Sequence, residues 1–97
     1  MQKGEFKVDR KEISDKVKKL FLDLIQKEES KLPKSYCTDN FFGSKIQLLP
    51  GDVVAYLYSV ENEFGLKVPS TYILEGKFNT LENVTDIICD ILQKQAS

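Results

Sequence analysis

Histidine is absent from this chain of 97 residues, which removes the side chain most often used as a general base or a metal ligand. What remains for chemistry is two cysteines, scattered hydroxyls and many carboxylates. No Ser–His or Cys–His couple can be assembled, and nucleophilic catalysis depends on such an activating base. The glycines Gly4, Gly43, Gly51, Gly65 and Gly76 are dispersed, so they read as turns and helix ends rather than as a phosphate-cradling loop. Cys37 lies in a long connection, with Lys34 the only cation near it in sequence. A thiol that carries an acyl group needs its pKa depressed by such a cation or by a helix start. Cys89 falls on the flank of a helical segment and reads as a small buried hydrophobe. Glu61 and Glu63 read as solvated helix surface rather than as an acid–base pair. These residue types point away from an enzyme.

Composition narrows the remaining classes. A chain of this length makes one domain with a single modest core. Hydrophobic residues at 41% and charged residues at 30% describe a soluble globular domain rather than a disordered one. The formal net charge of −1 supplies no basic field for nucleic acid. No apolar run approaches the roughly 20 residues of a membrane helix, and no segment reads as a signal peptide. Two cysteines are too few for a disulfide framework, which fits a cytoplasmic protein. The polar start, residues 1–8, is expected to fray.

Periodicity places the elements. Ile13, Val17, Leu20, Phe21, Leu24 and Ile25 recur at helical spacing, so a helix is expected from Arg10 to Lys27, opened by Asp9 with Glu12. A long connection follows, to Leu49. Connections longer than about 12 residues pack as specific loops or carry function, and Phe41, Phe42, Ile46 and Leu48 are its expected anchors. The second helix is expected from Pro50 to Phe64: proline suits the first helical position, Asp52 faces the positive end of the helix dipole, and Gly65 is a left-handed terminator. Val53, Leu57, Val60 and Phe64 would form its core face, with Tyr56 on the edge and Tyr58 well off it. Ser70 to Glu75 makes a short helix before Gly76. A last helix runs from Leu81 to Gln93, capped by Asn79 with Glu82, with Leu81, Val84, Ile88, Ile91 and Leu92 inward. The result is an all-α bundle in a single domain.

The stretch from Asn40 to Pro69 adds a sharper signal. Asp52-Val53-Val54, Glu63-Phe64-Gly65 and Val68-Pro69 follow one another at a spacing that resembles the acyl carrier protein family. In that family an Asp-Ser-Leu motif opens the second helix and its serine carries phosphopantetheine. Counting back without a gap, Leu49-Pro50-Gly51 occupies the place of that motif, and Pro50 stands at the attachment position with no nucleophile. The resemblance implies an acyl carrier protein-like four-helix bundle with three long helices, one short helix and a long first loop. It also implies that carrier partners dock at the second helix and the loop before it.

The expected function is therefore a non-catalytic binding or scaffold protein, without phosphopantetheine or metal, that docks a modifying enzyme. Its expected contact residues are Leu49, Pro50, Asp52, Val54 and Tyr58. Serine-less carrier relatives are associated with bacterial peptide maturation, and this chain resembles them in lacking the serine. The alternative is a working acyl, aminoacyl or peptidyl carrier whose phosphopantetheine sits on a displaced residue such as Ser44; Ser59 lies too far into the helix. A third reading is an unrelated helical interaction domain. A monomer is expected, with neither nucleic acid nor membrane as partner.

Overall fold

The computed structural model describes residues 9–96, and among them all regular structure is helical. The order is α1 (Arg10–Ile25), a 3-10 turn (Glu29–Lys31), α2 (Pro50–Phe64), α3 (Ser70–Leu74) and α4 (Leu81–Ala96). The expected fraying of residues 1–8 lies outside the described residues. Helix α1 lies against both α4 and α2.

Local chemistry sets most of the boundaries. The Asp9 carboxylate accepts from the Lys11 and Glu12 amides at 3.0 and 3.3 Å, which satisfies donors that the first turn leaves unpaired. Helix α1 stops at Ile25, short of Lys27, because Gln26 turns left-handed at φ 56° and returns its N–H to Leu22. Helix α2 starts with Pro50 at its first position, and the Asp52 carboxylate accepts from the Leu49 amide at 3.1 Å. It ends at Gly65, whose φ of 64° glycine adopts without the Cβ penalty that Gln26 carries at the end of α1.

At α4 the cap is one residue later than expected. Thr80, not Asn79, accepts from the third-residue amide, Asn83 N–H, at 3.0 Å. Asn79 instead holds the loop, its carbonyl accepting the Phe41 N–H at 2.8 Å. The helix then continues past Gln93 to Ala96, because Lys94, Gln95 and Ala96 favour helix although they carry no apolar stripe.

The core is built around rings. Tyr56 is fully buried between Phe21, Phe41 and Phe78, with centroids 5.9, 5.7 and 5.9 Å away. Phe21 and Phe41 stack on each other at 5.7 Å, and Tyr36 stacks on the Phe21 ring at 6.3 Å. Each such pair is worth about 0.5–1.5 kcal/mol beyond the area it buries.

This overturns the expected face of α2. Tyr56 and Val60 are its buried centre, while Val53, Leu57 and Phe64 are only partly buried. Tyr56 reads as an edge residue from sequence because a wheel centred on Val53, Leu57, Val60 and Phe64 puts it at the margin of the face. Here its hydroxyl has a partner in the Val17 carbonyl of α1, which accepts from Tyr56 at 2.9 Å, so the whole ring can leave water.

The long connection is fixed as expected, but not by all the expected anchors. Phe41 and Leu48 are buried, joined by the Leu48 N–H donating to the Phe41 carbonyl at 2.7 Å. Tyr36 adds a buried anchor, its hydroxyl on Glu29 at 2.9 Å. Phe42 faces solvent at 53% exposure: the amides of Phe41 and Leu48 hold one backbone face inward, which turns the next side chain out. On α4, Leu81, Val84, Ile88 and Ile91 are buried as expected, with Leu92 partly so. Ile87, Cys89 and Thr85 join them, the Thr85 hydroxyl satisfied by the Leu81 carbonyl at 2.9 Å.

Burial holds the Tyr56 hydroxyl protonated far above the ordinary tyrosine range. An unfolded tyrosine ionises near pH 10, so this contribution to stability is complete below about pH 10 and is lost as pH rises beyond it. Tyr56→Phe should cost about 1 kcal/mol at neutral pH through the lost bond to Val17. Above about pH 10 the gap to the parent should shrink by up to about 1.4 kcal/mol per pH unit. Urea melts across the alkaline range check this, and a gap that stays constant with pH contradicts the buried hydroxyl.

Candidate docking surface

The outward side of α2 and the residue before it present apolar side chains to solvent. Leu49 is 68% exposed, Val54 47% and Tyr58 63%, and Pro50 is exposed beside them. This follows from the rotation of the helix. With Tyr56 and Val60 facing inward, a period of about 3.6 residues puts Tyr58 on the opposite side, with Pro50 and Val54 between Tyr58 and the core edge.

The structure does not gather all the expected contact residues into one patch. Pro50 and Val54 line a groove of about 360 Å³ between α2 and α3, together with Phe42, Leu57 and Ile73. Tyr58 lines a different hollow at the far end of α2, shared with Glu61, Leu66 and Lys67. Asp52 is engaged with the Leu49 amide, so its carboxylate serves the helix start.

Sequence reasoning missed Ile73 and Leu74, which are 42% and 83% exposed on α3. A signal was present: Tyr72-Ile73-Leu74 sit on a helix of 5 residues, too short to turn three large apolar groups toward one core.

Helix α3 forms the second wall of the groove and is held by few contacts. Tyr72 donates its hydroxyl to Asp90 of α4 at 2.7 Å, and Lys94 reaches the same carboxylate at 3.1 Å. The Tyr72 hydrogen bond, and then Lys94, hold the Asp90 carboxyl below its ordinary range. At the entry to α3, Glu61 corrects another expectation. Its side chain is only 12% exposed, and its carboxylate accepts the Val68 amide at 2.8 Å with Lys67 at 4.0 Å. It pins the α2–α3 connection instead of solvating a helix face; Glu63 is exposed. The exit turns at Gly76, with φ 73°.

The remaining candidate residues lie elsewhere. Ser44 is exposed in the loop, and Ser59 donates to the Ala55 carbonyl within its own helix at 3.1 Å. Cys37 lines a cleft of about 280 Å³ where the cations are Arg10 and Lys18 of α1, with Ser14 and Glu82, rather than its sequence neighbour Lys34. Arg10 is itself paired with Asp86. Burial pushes the Cys89 thiol up, which keeps it a protonated, packed group. Among the described residues no cluster of three or more His, Cys, Asp or Glu could hold a metal ion, and no helix is long and apolar enough to cross a membrane.

No family model matches the chain, and comparison with curated proteins and with solved structures yields no match. The described residues form an all-helical arrangement of four α-helices, compatible with a helical bundle, with an apolar surface exposed between α2 and α3.

Tyr72→Phe should free α3 from α4. Amide exchange at Tyr72 through Lys77 should speed by about tenfold while the amides of α1 and α4 keep their protection, since local openings cost less than global unfolding. In the parent the tether should be complete above about pH 4 and weaken only as acid protonates Asp90 below that value. Hydrogen-exchange mass spectrometry reads both, and unchanged exchange in the variant would show that α3 is held by its flanks alone.

Proposed function

We propose that this chain is a non-catalytic binding or scaffold protein of acyl carrier protein-like arrangement that carries no phosphopantetheine and docks a modifying enzyme through the start of α2. The observation that carries the reading is the exposure of Leu49 and Val54, at 68% and 47%, around a proline in the first helical position. Soluble monomers seldom leave neighbouring large apolar groups in water without a partner. The helix order, three long and one short after a long first connection, is compatible with the carrier arrangement. Pro50 offers no hydroxyl for a cofactor. The partner fitting this reading is an enzyme of bacterial peptide maturation acting in the cytoplasm, contacted through Leu49, Pro50, Val54 and Tyr58.

Two measurements test the reading. Incubation with coenzyme A and a broad-specificity phosphopantetheinyl transferase should leave the intact mass unchanged; a gain mapping to Ser44 would make the chain a working carrier and overturn the proposal. A photoreactive phenylalanine analogue in place of Val54 should crosslink one enzyme in the native host. That enzyme, purified, should bind Tyr58→Ala about tenfold more weakly than the parent, a loss of about 1.4 kcal/mol. Melting of the variant should move by only a few degrees, because Tyr58 lies outside the core. A large fall in melting temperature with binding intact would place Tyr58 in the fold and remove it from the contact.

A further inference from the structure

The groove between α2 and α3 carries more chemical information than its exposure alone. Phe42, Val54, Leu57 and Ile73 line it, and its one polar end is formed by Asn40 and Asn79. These two sit together because the Asn79 carbonyl accepts the amide of Phe41, the neighbour of Asn40. The orientation of each side-chain amide is set by a bond already made. The Asn40 oxygen accepts the Phe42 N–H at 2.9 Å, and the Asn79 oxygen accepts the Asn83 side-chain amide at 2.7 Å. Each therefore keeps its NH2 for another acceptor, and neither NH2 donates to another described residue.

Among the described residues no ionisable side chain lines this groove. In the segments that flank it, Asp52 is bonded to the Leu49 amide and Glu75 is paired with Lys77 at 3.1 Å. We infer that the groove takes a short, uncharged peptide segment of the partner, with a bulky apolar side chain seated between Val54 and Ile73 and main-chain carbonyls accepting from Asn40 and Asn79. This rests on the docking reading above and adds the chemistry of the contact.

Complementarity selects this occupant. A charged segment would be desolvated against a lining with no counter-ion, which is costly. A fatty acid would bring a full charge to an end that holds two neutral amide donors and no cation, and a plain hydrocarbon would make no use of those donors. A peptide backbone supplies neutral acceptors at every residue beside an apolar side chain. The volume of about 360 Å³ is at the low end of the roughly 300–1,000 Å³ of small-molecule sites and suits one or two side chains.

The test is a titration of isotope-labelled protein followed by NMR, with three probes: acetyl-Ser-Leu-Phe-Ser-amide, acetyl-Ser-Lys-Glu-Ser-amide and decanoate. The apolar peptide should produce saturable shifts at Phe42, Val54 and Ile73 and at the side-chain amides of Asn40 and Asn79. The charged peptide should bind at least about tenfold more weakly, as should the apolar peptide to Ile73→Asp. Val54→Asp, on the other wall, is the second variant should α3 reorganise in the first.

Decanoate shifting the same resonances at equal or lower concentration would overturn the peptide assignment in favour of an acyl chain. Concentration-dependent shifts at these residues without any probe would assign the groove to a second copy. The absence of saturable shifts with the apolar peptide also overturns it. If the crosslinked enzyme binds Ile73→Asp as tightly as the parent yet loses affinity for Tyr58→Ala, the groove proposal fails while the docking reading stands.

Discussion

Burying Tyr56 requires that its hydroxyl find an acceptor, and the Val17 carbonyl supplies one at 2.9 Å. An unpaired phenol in the same place would cost about 1–3 kcal/mol, so the bond decides whether the ring can be core at all. Once it is core, Tyr56 draws Phe21 from α1, Phe41 from the long connection and Phe78 from the approach to α4 around one point. The rotation of α2 about its axis follows. Tyr56 and Val60 face inward, Val53 and Leu57 fall to the rim, and Pro50 and Val54 are turned out.

The same rotation makes the surface. Helix α2 carries more apolar groups than one core face accommodates, and of those left over Pro50 and Val54 lie on the side next to α3 while Tyr58 points elsewhere. Helix α3 cannot cover them. It has 5 residues, is tied to α4 through Tyr72 and Asp90, and places Ile73 across a groove from Val54 rather than against it. Glu61, holding the Val68 amide, sets where α3 begins. A packing constraint in the core thus becomes an unfilled apolar groove at the surface, and the functional reading grows from that remainder.

Helix boundaries were the most legible part of the sequence because they are written in local chemistry. Asp9, Pro50 and Gly65 each act within one turn of where they stand. The wheel of α2 was less legible because its apolar arc is wide: Val53, Val54, Tyr56, Leu57, Val60 and Phe64 all qualify. Which third of that arc turns inward depends on rings arriving from Phe41 and Phe78, distant in sequence and carried by segments with no periodicity. Glu61 failed for a similar reason, since its partner is an orphan amide beyond the end of the helix and not another side chain on the wheel. The exposed start of α2 could be anticipated from Pro50 and Leu49. The groove could not, because it depends on where α3 stands, and Asn40 and Asn79 become neighbours only through the backbone bond between Phe41 and Asn79.

Both core and surface derive from the orientation of α2. Solvent paramagnetic relaxation, measured residue by residue along Pro50 to Phe64 with a neutral soluble probe, tests it without any variant. The structure predicts the weakest relaxation at the side chains of Tyr56 and Val60, intermediate values at Val53, Leu57 and Phe64, and strong relaxation at Val54 and Tyr58. Minima at Val53 and Leu57, with Tyr56 relaxing as an exposed ring, would contradict the account and move the surface to another face of the helix.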